Sequence, residues 1–203
     1  MVHRFFLDRR PHNGMSYKEY IGSVVNEMAV TNPDKLEGEE KEHFEYKKLN
    51  LQRSSRIGKT YVVSEELKTL ILKIRDKELW MVITEAWCGD SAQNLPYIAK
   101  MAELNSNIDL KIILRDANPD IMDLYLYNGT KSIPKLVAFD MQGNELFTWG
   151  SRPKILRELM FKWKSQGIVK PELYEKLHLW YARNKGKEIE TEFIDIFSRA
   201  ERE

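Results

Sequence analysis

Apolar residues in this chain recur first at helical spacing and then, from about residue 60, in blocks that alternate between strand-like and helix-like patterns. Tyr17, Tyr20, Ile21, Val24 and Met28 follow Ser16 at helical spacing, and Ser16-Tyr17-Lys18-Glu19 has the form of a capping box. A helix is predicted there, ended by the turn residues Thr31 to Asp34. The highly charged stretch from Lys35 to Arg56 carries Phe44, Leu49 and Leu51 and predicts a helix lying over something else. Next come TYVV (60–63) as a short strand, SEELKTLILKIRD as a helix, LWMVITE as a buried strand and SAQNLPYIAKMAELN as a helix. DLKIILRD reads as a strand, PDIMDLYLYN as a short helix, KLVAFD and NELFTWG as a hairpin around Gly143, and RPKILRELMFKWKSQG as a helix. Such alternation argues for an α/β sheet flanked by helices, made mixed by its closing hairpin.

Two further amphipathic helices follow Gly167. One has Pro171 near its start and Leu173, Leu177, Trp180 and Tyr181 on a face; the other carries Ile189, Phe193, Ile196, Phe197 and Ala200. Their apolar stripes need cover and are expected to pack on the domain, while the charge run ARNKGKEIETE reads as a solvated linker between helices. The expected organisation is a helical extension over 1–58, an α/β domain over 59–167 and a C-terminal helical extension over 168–203 packed on that domain.

Composition narrows the function classes. The 203 residues are 31% charged and 42% hydrophobic, as in an ordinary soluble globular protein. A net charge of +1 argues against a dedicated nucleic-acid binder. No apolar run approaches the roughly 20 residues that span a bilayer, and the first residues hold too short an apolar stretch for a signal peptide. A cytoplasmic protein with no membrane partner is expected. His3, His12, His43 and His178 lack metal-ligand spacing, and IGKT (57–60) is no phosphate loop because Arg53 stands where its first glycine belongs. No cofactor or metal is expected.

The single cysteine, Cys88, excludes an internal disulfide and any all-cysteine metal site within one chain. It lies in EAWCGDSAQNLP (85–96), where an apolar strand ends and a helix begins. Unpaired N–H groups and the helix dipole at such a terminus favour a thiolate, whose pKa can fall from about 8.5 to between about 3.5 and 7.5. Asp90 opposes that charge, and Ser91 can offer the sulfur a hydroxyl. A lone cysteine is commonly a small buried hydrophobe, but Trp87, Gly89, Asp90 and Ser91 are residues of a turn, so an exposed and activated sulfur is expected.

These residues resemble the thioredoxin superfamily in four ordered blocks spanning about 90 residues, a more specific signal than any one of them. WCGDS is similar to the family's W-C-G-x-C with Ser91 in place of the second cysteine; RDANPD (115–120) is similar to the turn after its third strand. GTKSIPK (129–135) resembles its cis-proline segment and FTWGSRP its last strand and following glycine, Gly150. The resemblance implies a thioredoxin-like mixed sheet, a cis Ile133–Pro134 peptide, Cys88 as attacking thiol, and Trp87, Gly89, Asp90, Ile133 and Pro134 as the substrate-facing surface. It also aligns Val82 and Ile112 with the family's buried aspartate and lysine, so the proton-handling pair is missing together with the second cysteine. Lys135 stands where a threonine is common in the family.

With one sulfur, a mixed disulfide must be resolved from outside. Monothiol thiol–disulfide exchange is therefore the expected redox function, with Cys88 and Ser91 as catalytic residues. Its partners are a protein or low-molecular-weight disulfide or thiol and an external resolving thiol. A cluster-binding role like that of monothiol glutaredoxins is disfavoured, because the segment after Pro134 lacks the glycine pair and aspartate that hold glutathione there. A Cys–His hydrolase is disfavoured because all four histidines lie outside the core segments. The alternative from another class is a catalytically lapsed thioredoxin fold used as a protein-binding module.

Overall fold

The computed structural model describes residues 2–200, the side chain of Ala200 excepted. The chain opens with α1 (Arg4–Leu7), α2 (Tyr17–Val30), a 3-10 turn (Pro33–Lys35), α3 (Gly38–Thr60) and α4 (Glu65–Leu72). The sheet region follows as β1 (Glu78–Thr84), α5 (Gly89–Ala102), β2 (Ile108–Leu114), α6 (Pro119–Met122), β3 (Lys135–Asp140) and β4 (Glu145–Gly150). Three helices close it: α7 (Lys154–Ser165), α8 (Lys170–Asn184) and α9 (Lys187–Ala200). Ser16 caps α2 through the reciprocal Ser16/Glu19 box that its spacing predicts.

The four strands form one mixed sheet in the order β2-β1-β3-β4, flanked by helices with more at both termini, which is a thioredoxin-like α/β fold. β1 and β2 are parallel, and α5 supplies the crossover that a parallel pair needs. β3 runs antiparallel to β1 and β4 antiparallel to β3. Residues 79–84 are all buried, as befits one of the two internal strands, and the two-residue period of β1 divides the core. Trp80 and Val82 face a cluster completed by α4, α5 and α9; Leu79, Met81 and Ile83 face a second one with Phe5, Phe6, Ile121, Phe139, Ile133 and Cys88. A third, smaller cluster of Leu156, Met160, Leu173, Leu177 and Tyr181 holds α7 to α8.

The sequence pattern misleads at two places. TYVV is not a strand: α3 runs through Thr60, and Tyr61 to Val63 lead to Ser64, which caps α4. Val63 and Tyr61 pack their side chains into the first core cluster, with no strand among the described residues paired to them. The ARNKGKEIETE run is not a linker either. Only Lys185 and Gly186, at φ 52° and 86°, separate α8 from α9, and a Cβ on Gly186 would meet Tyr97 at 2.3 Å. Its acidic residues act as anchors: Glu190 accepts from the Tyr61 hydroxyl at 2.5 Å and the Ser64 N–H at 3.1 Å, and Glu192 accepts from Trp149 Nε1 at 2.6 Å and from the Lys154 N–H. These bonds hold α9 so that Phe193 and Phe197 lie against Trp80, with ring centroids 5.9 and 6.1 Å away.

Candidate functional site

Cys88 is the N-cap residue of α5, reached by a short turn in which its own N–H bonds the Glu85 carbonyl at 3.1 Å. Its thiol makes no cap bond and instead donates to the carbonyl of Ile133 at 3.4 Å. The Ile133–Pro134 peptide is cis. Gly150 backs this segment at φ 127°, and a Cβ there would lie 2.2 Å from the Pro134 carbonyl oxygen, so only glycine fits. The fold thus brings Trp87, Cys88 and Ile133 together in one cluster, although 45 residues separate the sulfur from its acceptor.

The expectation of an exposed, activated thiol is corrected. Cys88 is 8% exposed among apolar side chains, and burial pushes its thiol up to about 11, with the charge of Asp90 adding to the rise. Ser91 and the first amides of α5 favour the thiolate, but they are outweighed. The Ser91 hydroxyl accepts from Thr84 Oγ1 at 2.6 Å, inside the fold. Val82 and Ile112, at the positions of the family's proton-handling pair, are fully buried apolar residues. Lys135 donates to Thr148 Oγ1 at 3.1 Å, and burial lowers its pKa.

Residues of the two flanking helical regions cover the turn. Asp90, 8% exposed, takes Arg152 Nε at 2.8 Å and a second guanidinium nitrogen at 2.5 Å, and accepts from the Tyr181 hydroxyl at 2.8 Å. Asn94 donates to that same hydroxyl at 2.9 Å, so the first turn of α5 is locked to α8. Over Gly89 stand His178 and Arg53, 3.4 and 3.6 Å from where a Cβ would be. Burial and the Arg53 charge push His178 down to about 4, and its Nδ1 is buried without a hydrogen-bond partner among the described residues. Trp87 is engaged as well: His43 stacks on it at 4.8 Å and the Arg115 guanidinium lies 4.7 Å from the ring centroid.

Two of the histidines that sequence places outside the core segments are therefore close to the sulfur's turn. Arg53, Arg152, His178 and Tyr181 escape sequence reasoning, because three of them come from helices outside the sheet and no local pattern links them to Asp90; Asn94 stands one turn from Asp90 within EAWCGDSAQNLP and bonds its carbonyl at 2.8 Å. Arg152 alone carries a signal, as part of the FTWGSRP block. Among the described residues no group of three or more histidines, cysteines or carboxylates is placed to hold a metal, and no helix is long and apolar enough to cross a membrane.

A mixed sheet with a cysteine at the head of its crossover helix, faced by a cis-proline segment, defines a thioredoxin-fold protein. The family model for thioredoxin matches residues 39–166, more than half the chain, and the chain belongs to the thioredoxin family. A protein of unknown function from Pseudomonas aeruginosa is similar in structure, with a TM-score of 0.60 at 16% identity over 94% of this chain and 95% of that one. An HIV epitope-scaffold protein is similar at 0.59 and 17% over 92% and 94%. At such identities the likeness is one of fold, and its coverage takes in the terminal helices. No curated protein matches the chain.

Proposed function

We propose that this chain is a thioredoxin-fold binding module for a protein partner, in which Cys88 serves as a neutral core thiol and covalent exchange is not its resting activity. The observation that carries this reading is the buried sulfur, donating to Ile133 under a pKa of about 11. Against an ordinary thiol at 9.0, a pKa of about 11 lowers the thiolate fraction at neutral pH roughly 100-fold. Higher intrinsic nucleophilicity recovers only about 6- to 10-fold of that. Burial slows attack further. The engagement of Trp87 by His43 and Arg115 supports the lapsed chemistry, since both belong to the cover of the turn, and with Ile133 only 5% exposed a partner is held elsewhere than on the expected Trp87/Ile133 surface.

Monothiol exchange is the second function to test, favoured by the position of Cys88 at the head of the 14-residue helix α5 beside the cis Ile133–Pro134 peptide. In it the Cys88 thiolate attacks one sulfur of a disulfide, forming a mixed disulfide and releasing the other sulfur as thiolate. An external thiolate then attacks the mixed disulfide, regenerating Cys88 and leaving as a new disulfide. Alkylation by iodoacetamide across pH, with Cys88→Ser as blank, separates the two. The binding reading expects labelling slower than that of a free thiol at neutral pH, rising only well above pH 9. An apparent pKa below about 8.5, with a mixed disulfide formed from oxidised glutathione, overturns it in favour of exchange.

A further inference from the structure

A second concave site lies away from the sulfur, between the C-terminal half of α3, the body of α5 and the α8–α9 turn, with a volume of about 600 Å³. On its floor Gln93 and Tyr97 stand one helical turn apart on α5 and so share a face. They are only 4% and 7% exposed, yet neither side chain has a hydrogen-bond partner among the described residues. Both residues line the cleft. Buried polar side chains are ordinarily paired, as Asn94 and Asn105 are here. Two unpaired ones on one wall of a cleft point to a ligand.

Charge at the rim gives the ligand its sign. Arg56, Lys185 and Lys187 line the cleft and have no ion-pair partner among the described residues. The carboxylate that accompanies them, Glu190, is held against the wall by Tyr61 and Ser64 through Oε1, and the three cations outnumber it. The walls are firm: Tyr61 meets Tyr97 edge to face at 4.6 Å, and Gly186 is pressed on the Tyr97 ring. A volume of about 600 Å³ falls inside the roughly 300–1,000 Å³ typical of small-molecule sites.

We propose that this cleft binds a small organic anion, with a flat hydrogen-bonding body against Gln93 and Tyr97 and a phosphate or carboxylate held by Arg56, Lys185 and Lys187. Binding here does not require Cys88 to react and holds under either function of the sulfur. Isothermal titration calorimetry tests it with AMP and 4-hydroxybenzoate as phosphate- and carboxylate-bearing probes, and with adenosine and inorganic phosphate as the separated halves. At least one intact probe binds, its separated parts bind at least about tenfold more weakly, and added salt weakens it. Gln93→Leu and Arg56→Glu each weaken that probe about tenfold, with far-UV circular dichroism unchanged. Arg56 is exposed, so its substitution leaves folding intact even if the Gln93 variant does not fold. The proposal is overturned if neither probe binds at millimolar concentration, if inorganic phosphate binds as tightly as AMP, or if Arg56→Glu has no effect.

Discussion

The sulfur of Cys88 couples the stability of the fold to alkaline pH. Its folded pKa, about 11, lies above that of the unfolded chain, near 8.5, so its contribution is fully present below about 8.5 and is lost as pH rises through 11. Over that window the wild-type protein should lose up to about 1.4 kcal/mol per pH unit more than Cys88→Ala, a difference read from urea midpoints at each pH. His178 has the opposite sign. Its pKa is depressed to about 4 in the folded chain, so stability present above about 6.5 is lost as pH falls through 4, and His178→Gln should flatten that acid limb. The turn around Cys88 was legible in the sequence, because an apolar strand running into Gly89 and Asp90 can only end there. The thiol's state was not, since it depends on Ile133, Arg152 and the cover from α8, none of which the local residue pattern reports.

Among the elements, the α8–α9 turn is the one whose geometry leaves least room for change. Gly186 combines a positive φ with a neighbour, Tyr97, where any Cβ would stand, so Gly186→Ala should cost about 1–3 kcal/mol in chemical denaturation. The strands were readable because β1 is a continuous apolar run and β3–β4 a hairpin around Gly143. Residues 60–63 carry strand-forming types without a strand to pair with, which propensity alone does not reveal. The acidic positions Glu188 and Glu190 suggested a solvated linker, whereas they occupy the first turn of α9, where the helix dipole favours them. Helix α1, of four residues, is too short to show any period, yet it buries Phe5 and Phe6 against Phe139.

At the scale of the whole molecule, the Asp90–Arg152–Tyr181 network is where the sheet domain and the C-terminal helices share a polar core. Removing one partner strands a buried charge: Arg152→Ala should destabilise by about 3–5 kcal/mol, whereas Asp90→Asn with Arg152→Leu should cost less than the two single effects summed. Loss of the network should also speed alkylation of Cys88, because the same contacts close its turn. The fold class was legible from the order of strands and helices; the closure was not, because it joins residues some 62 and 91 positions apart. Helix α9 supplies another such closure, laying Phe193 and Phe197 on Trp80 and Phe147. During synthesis, the part of that face that α9 covers therefore stays open until this helix has left the ribosome, even with α4 and α5 already in place. Nascent chains stalled before residue 189 would present it as a sticky surface.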